Sequence, residues 1–231
     1  MARESKKAKR ERAIEVCDRM GQHYADAKPA LDFTDAFTLT IAVLLSAQTT
    51  DAAVNKATPE LFARWGTPEA MAQADPDEVA EVIHSLGFYK TKSRHCVECA
   101  RTIMSDFGGQ VPSTMEELTR LPGVGRKTAN IVLNHAFGQV EGIAVDTHVY
   151  RIATRLKLTN ASTPAAAEAD LLSVIPSELW GRVNQEWILF GRQVCTARSQ
   201  SCGDCWLADI CPSAGKTGNP TAKRRPRRTR G

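Results

Sequence analysis

The chain has 231 residues, 42% of them hydrophobic and 24% charged, enough for one large globular domain or two small ones. No apolar run approaches the roughly 20 residues of a membrane helix. The start, Met1-Ala2-Arg3-Glu4-Ser5-Lys6-Lys7, is charged where a secretion signal is apolar, so membrane and export classes are set aside and a cytoplasmic protein is expected.

The net charge of +4 is unevenly spread. Residues 1–12 carry +4 and residues 216–231 carry +7 with no acid, which leaves −7 for the stretch between. Any surface for nucleic acid must then be local, built from positioned N–H groups and a few cations. The tails either add salt-sensitive affinity or stay solvated and disordered.

In chain order, residues 1–12 are polar and expected to fray. A helix is predicted from about Arg10 to Ala27, with Ile14, Cys17, Met20 and Tyr24 at helical spacing and Pro29 as its stop. Phe37 to Ala47 is strongly apolar and reads as a buried helix, although a buried strand has the same pattern. Ser46-Ala47-Gln48-Thr49-Thr50-Asp51 makes a polar break, with Asp51 placed to cap a helix ending near Trp65. Thr67-Pro68 and Asp75-Pro76 each pair a cap with Pro at the first helical position. The second of these helices closes at Leu86-Gly87, and Phe88-Tyr89-Lys90-Thr91-Lys92 follows. The next helix spans about Tyr89 to Phe107. Cys96 and Cys99 lie on it with no second pair nearby, so packing is expected of them.

Ser113-Thr114-Met115-Glu116 is a capping-box pattern that opens a short helix. Pro122 and Gly123 break it, Gly125 opens a second helix, and Gly138 closes that one. Ile131, Val132, Leu133, Ala136 and Phe137 supply its buried face. Without Cβ atoms, Gly123 and Gly125 let the backbone approach a ligand, and the first amides of the second helix suit a phosphate. By itself a PGxG turn reads equally as a plain connection. Lys127, in the first turn, lies where the helix dipole and Arg126 disfavour an ammonium. If partly buried it would hold some neutral, nucleophilic amine. Asp146 precedes Thr147-His148-Val149-Tyr150-Arg151 and reads as the N-cap of the following helix.

That helix is predicted to reach about Leu158. Another begins at Thr163-Pro164, and a last one runs from Asn184 to Cys195 with Trp187, Ile188 and Phe190 buried. No convincing strand is found. Seven cysteines in a chain of this kind argue against disulfides. Cys195, Cys202, Cys205 and Cys211 are spaced C-x6-C-x2-C-x5-C and could hold zinc or an iron–sulfur cluster. Zinc favours two close pairs, whereas a cubane with one cysteine per iron tolerates longer gaps.

The run Leu121-Pro122-Gly123-Val124-Gly125-Arg126-Lys127-Thr128-Ala129-Asn130, followed by Ala144-Val145-Asp146-Thr147-His148 and then the four cysteines, closely resembles the helix-hairpin-helix, Gly/Pro-Asp DNA glycosylases. Within them it is similar to the lyase-competent endonuclease III branch. The resemblance spans about Pro29 to Cys211. It implies a [4Fe-4S] cluster on Cys195, Cys202, Cys205 and Cys211, with Lys127 and Asp146 as the catalytic pair. It implies DNA contacts from Gly123, Val124, Gly125, Arg126 and Thr128 of the hairpin. Gln48 matches the residue that fills the space left by an extruded base, and Phe88 the wedge that props the duplex open. Read without the family, Gln48 equally caps a helix end, and the alternative for Phe88 is a place in the core. Arg198 matches a basic residue that reaches DNA phosphates from the cluster loop, while Ser199 and Gln200 are uncharged where the pattern is often more basic.

The fold so implied is all-α and two-lobed. Residues 1–28 form a basic segment and helix of the cluster lobe, 29–140 a six-helix barrel with the hairpin, 141–215 the rest of the cluster lobe, and 216–231 a disordered basic tail. The active site is expected in the cleft between the lobes. The activity implied is that of a DNA glycosylase and abasic-site lyase of base excision repair, a monomer acting on oxidised pyrimidines in double-stranded DNA beside the bacterial nucleoid. Two rivals remain. The adenine-excising branch also carries a cluster, but it lacks the hairpin Lys and adds a large C-terminal domain. A non-catalytic hairpin module with a structural cluster would need neither Lys127 nor Asp146.

Overall fold

The computed structural model describes residues 4–215. The basic tail 216–231 lies outside the described residues. Helices make up the regular structure, and the only β pairing among the described residues is an isolated bridge between Cys195 and Gln200. The chain divides into two compact units, one of residues 28–144 and one of the described residues 4–27 with 145–215.

The 28–144 unit is built around α2 (Ala36–Leu45), in which every residue from Phe37 to Leu45 is buried. A helix apolar on all sides belongs inside a core, and each fully buried Leu or Ile contributes roughly 2 kcal/mol. Its start is fixed by Asp35, whose carboxylate accepts from the Thr38 amide while the Thr38 hydroxyl accepts from the Asp35 amide. Around α2 lie α3 (Asp51–Trp65), α4 (Pro68–Gln73), α5 (Pro76–Val82), α6 (Tyr89–Asp106), α7 (Met115–Leu118) and α8 (Arg126–Phe137). Helix α2 packs on α3, α6 and α8, and α6 also carries α4 and α5. Cys96 and Cys99 are fully buried in this core. Burial pushes the Cys99 thiol up to about 12, so both are packing groups.

Two caps in this unit sit one residue from the expected place. Thr50, not Asp51, caps α3 by accepting from the Ala53 amide. At α7 the cap is Thr114, which accepts from the Glu117 amide and donates its hydroxyl to the Glu117 carboxylate, rather than Ser113 with Glu116. In each case two cap-competent residues are adjacent. The one left in extended backbone takes the role, and its neighbour becomes part of the helix or its lead-in.

The other unit packs α1 (Lys6–His23) on α11 (Trp180–Gln193), and α11 on α9 (Thr147–Arg155), with α10 (Pro164–Leu172) against α9. Helix α1 starts four residues earlier than expected, and Lys6–Arg12 is helical rather than frayed. Ser5 accepts from the Ala8 amide. Arg12 forks onto the Glu4 carboxylate and donates to the Leu156 carbonyl at 2.7 Å. It ends at His23, well before Pro29. Helix α11 also starts earlier, at Trp180, because the 3-10 turn Ser177–Leu179 leads into it, and Ile188 is only half-buried.

Candidate active site

In the 28–144 unit, the hairpin turn follows directly from its glycines. Gly123 holds φ +79°, and a Cβ there would lie 3.0 Å from both His95 Nδ1 and Leu44 Cδ1. Only glycine fits that conformation and that space. The Val124 amide donates to the Leu121 carbonyl, and its side chain is buried. Val124 therefore anchors the turn from inside, and its N–H is already used. Gly125 caps α8 without a side-chain bond, so no cap side chain stands in front of the positive end of the helix dipole. Gly123, Gly125 and Arg126 are exposed and Thr128 is half-buried.

Lys127 is exposed. The condition of partial burial set for it by the sequence is therefore not met. Any desolvation of the amine must then come from the ligand that covers the turn.

Two further side chains of this unit stand out. Gln48 and Phe88 hold φ of +54° and +59°, a region that costs a non-glycine residue about 1 kcal/mol or more. Phe88 is 66% exposed, the most exposed large apolar side chain among the described residues. The core reading of Phe88 is thereby excluded. Gln48 is exposed as well and caps nothing; Thr50 takes that role. The two loops are neighbours, because a Cβ on Gly87 would lie 3.9 Å from the Gln48 carbonyl oxygen.

In the other unit, Asp146 caps α9 as expected. Its Oδ1 accepts from the amides of His148 and Val149, both at 2.8 Å. Both bonds fall on one oxygen, and Oδ2 takes no part in the cap. The side chain is half-buried. Helix α9 carries Arg151 and Arg155 from this cap toward the cysteine loop. Arg151 donates to the carbonyls of Gly191 and Cys195, at 2.9 and 3.2 Å from Nη2. Gly191 permits this approach, since a Cβ there would lie 2.8 Å from Arg151 Nη2. Arg155 Nη1 reaches the Thr196 carbonyl at 2.6 Å and Cys195 Sγ at 3.2 Å. Sequence reasoning missed both arginines, although their i, i+4 spacing after Asp146 was a usable sign of one shared face.

Cys195, Cys202, Cys205 and Cys211 are free thiols lining one cavity with Ile152, Leu156, Phe190, Val194, Leu207 and Ala208. No three His, Cys, Asp or Glu side chains among the described residues meet at one ion-sized point. The thiols surround a space, which suits a cubane with separated irons better than a single zinc ion. Burial pushes the Cys205 and Cys211 thiols up, so thiolates there call for a cationic centre beside them. The donor set fits a cluster held wholly by protein. Arg198 is exposed on the loop between the first two cysteines.

A family model described as HhH-GPD superfamily base excision DNA repair protein matches residues 41–177. Endonuclease III of Synechocystis sp. is 46% identical over 207 residues, covering 90% of this chain and 94% of that one. Endonuclease III of Escherichia coli is 40% identical over 205 residues, with 89% and 95% covered. A trapped endonuclease III–DNA covalent intermediate, in an estranged-adenine complex, has a TM-score of 0.84 at 38% identity, over 89% of this chain and 96% of that one.

Proposed function

The chain belongs to the HhH-GPD superfamily of base excision DNA repair proteins, and from that premise we propose how its residues divide the work. The protein is a bifunctional DNA glycosylase and abasic-site lyase of the endonuclease III kind, acting as a monomer on damaged bases and abasic sites in double-stranded DNA. Oxidised pyrimidines are its substrates. A base inside a duplex cannot be reached, so it must first be turned out of the stack. Phe88 wedges the gap and Gln48 fills it. The helix start after Gly125, with Arg126 and Thr128, holds backbone phosphates, which fixes position without reading sequence. Arg198 adds a phosphate contact from the cluster loop.

Lys127 is the nucleophile. Bound DNA covers its exposed side chain and shuts water out of the reaction. The amine attacks C1′ of the damaged nucleotide, and the C1′–N bond to the base breaks. Proton transfer and ring opening leave an iminium. That cation acidifies the C2′ proton. Its loss and the departure of the 3′ phosphate cut the strand by β-elimination, and water then releases the amine. Asp146 accepts the ammonium proton and stabilises the cationic sugar through the oxygen its cap leaves unused.

Cys195, Cys202, Cys205 and Cys211 hold the [4Fe-4S] cluster, which supplies fold to a loop with little core of its own. No helix among the described residues is long and apolar enough to cross a membrane. A cytoplasmic place beside the chromosome follows from the substrate.

The single observation that carries this reading is the pairing of an uncapped, glycine-made hairpin bearing Lys127 with a strained, 66% exposed Phe88 loop in one unit. The test is a panel of duplexes, each with one defined lesion, assayed without Mg²⁺. Oxidised pyrimidines and abasic sites should give strand cleavage 3′ to the lesion. Excision of adenine without cleavage would point to the adenine-type rival, and binding without either product to the non-catalytic module.

A further inference from the structure

Lys92 is buried at 4% exposure in the first turns of α6, and the proposed function leaves it without a role. Its amine donates to the Thr49 hydroxyl at 2.5 Å, across 43 residues of chain. No carboxylate meets it among the described residues, and burial pulls its ammonium below the usual lysine range. A buried cation without an acid costs stability, and the core gains nothing from this one that a Met would not supply.

The bond's two ends show what it does. The Lys92 backbone amide closes the first turn of α6 on the Phe88 carbonyl at 3.0 Å. Its side chain ends on the residue after Gln48. The Thr49 hydroxyl also donates to the Ala47 carbonyl at 3.4 Å, so it spans Gln48. One residue thus links the two non-glycine positions of this unit that hold left-handed backbone.

We propose that Lys92 is a positioning residue, a brace that fixes the Gln48 and Phe88 loops to each other as one rigid head for entering the duplex. It rests on the reading of Gln48 and Phe88 as the residues that enter DNA. Without the brace, each loop relaxes from its strained backbone independently, and the energy for separating stacked bases is no longer delivered at two points together. The chemical step at Lys127 is untouched. Lys92 therefore serves duplex opening and is dispensable where no duplex has to be opened.

The test uses Lys92→Met, which keeps side-chain length and removes the charge, so the fold should keep or gain thermal stability. Thr49→Val removes the other end of the same bond. Each is assayed under single turnover on an abasic site in a fully paired duplex, and on the same strand with no nucleotide opposite the lesion. With 2-aminopurine opposite the abasic site, fluorescence reports the unstacking of that base. We expect both variants to lose tenfold or more on the paired duplex together with the fluorescence rise. Cleavage of the unpaired strand should stay within about twofold of wild type, and the double variant should lose no more than either single one. Equal losses on both substrates, or none on either, overturn the brace. Gln48→Ala and Phe88→Ala run alongside. If they keep full paired-duplex activity, the reading of the loops falls and the brace with it. If they lose it while Lys92→Met does not, the brace alone is wrong.

Discussion

Phe88 and Gln48 are held in left-handed backbone by the turns that carry them, and both face solvent. Strain of that kind persists where the surroundings impose it, and it concentrates at sites that grip ligands. Gly123 shows the complementary case, a position where the strain is avoided by having no side chain. Gly123→Ala should cost about 2 kcal/mol, from the left-handed backbone and the contact with His95 and Leu44. Urea denaturation followed by helix signal measures this, and an unchanged midpoint would contradict the account of the turn. The sequence made Gly123, Gly125 and the Asp146 cap legible because each is a local rule of backbone and cap. Burial of Lys127 stayed open in the sequence because exposure of a first helical turn depends on what packs beside it. Lys92 gave no signal at all. Its partner lies 43 residues away, and a lysine one turn into a helix normally faces water.

Helices were legible in number and order, and less so in their ends. Periodicity finds the middle of α1 and α11, but their starts are set by Ser5, by a long-range bond from Arg12 to Leu156, and by a 3-10 turn. Helix α9 joins the Asp146 carboxylate at its N-terminus to the cysteine loop through Arg151 and Arg155, an arrangement that only tertiary structure reveals. The packing of α1 on α11 hides a titrating group. Glu186 is buried, and desolvation raises its carboxyl to about 7 against the pull of Arg182, whose Nε lies 3.3 Å away. The folded value lies above the free value of 4.5, so the fold favours the protonated acid. That stability is fully present below about pH 4.5 and is lost as pH rises through 7. Glu186→Gln mimics the neutral form. It should match wild type near pH 4 and exceed it at pH 8, by on the order of 2 kcal/mol. Urea midpoints across that range check this, and parallel curves for the two proteins would contradict it.

At the scale of the molecule, residues 13–215 carry −7, and the proposed DNA surface is accordingly local: a hairpin, two loops and a few cations. Family, fold class and cluster were legible because they rest on spacing along the chain: the hairpin run, the Asp sixteen residues after its last member, and the four cysteines. What the cysteines enclose, and how α6 unites the loops, depended on contacts distant in sequence. The central claim is that one exposed amine of the hairpin becomes a covalent catalyst once DNA covers it. Borohydride reduces an iminium to a stable amine, so it traps that adduct during cleavage of an abasic duplex. Wild type should yield a protein–DNA conjugate whose linked peptide maps to Lys127, and Lys127→Ala should yield none while still binding the same duplex. A conjugate that survives the substitution, or that maps to another residue, would contradict the account.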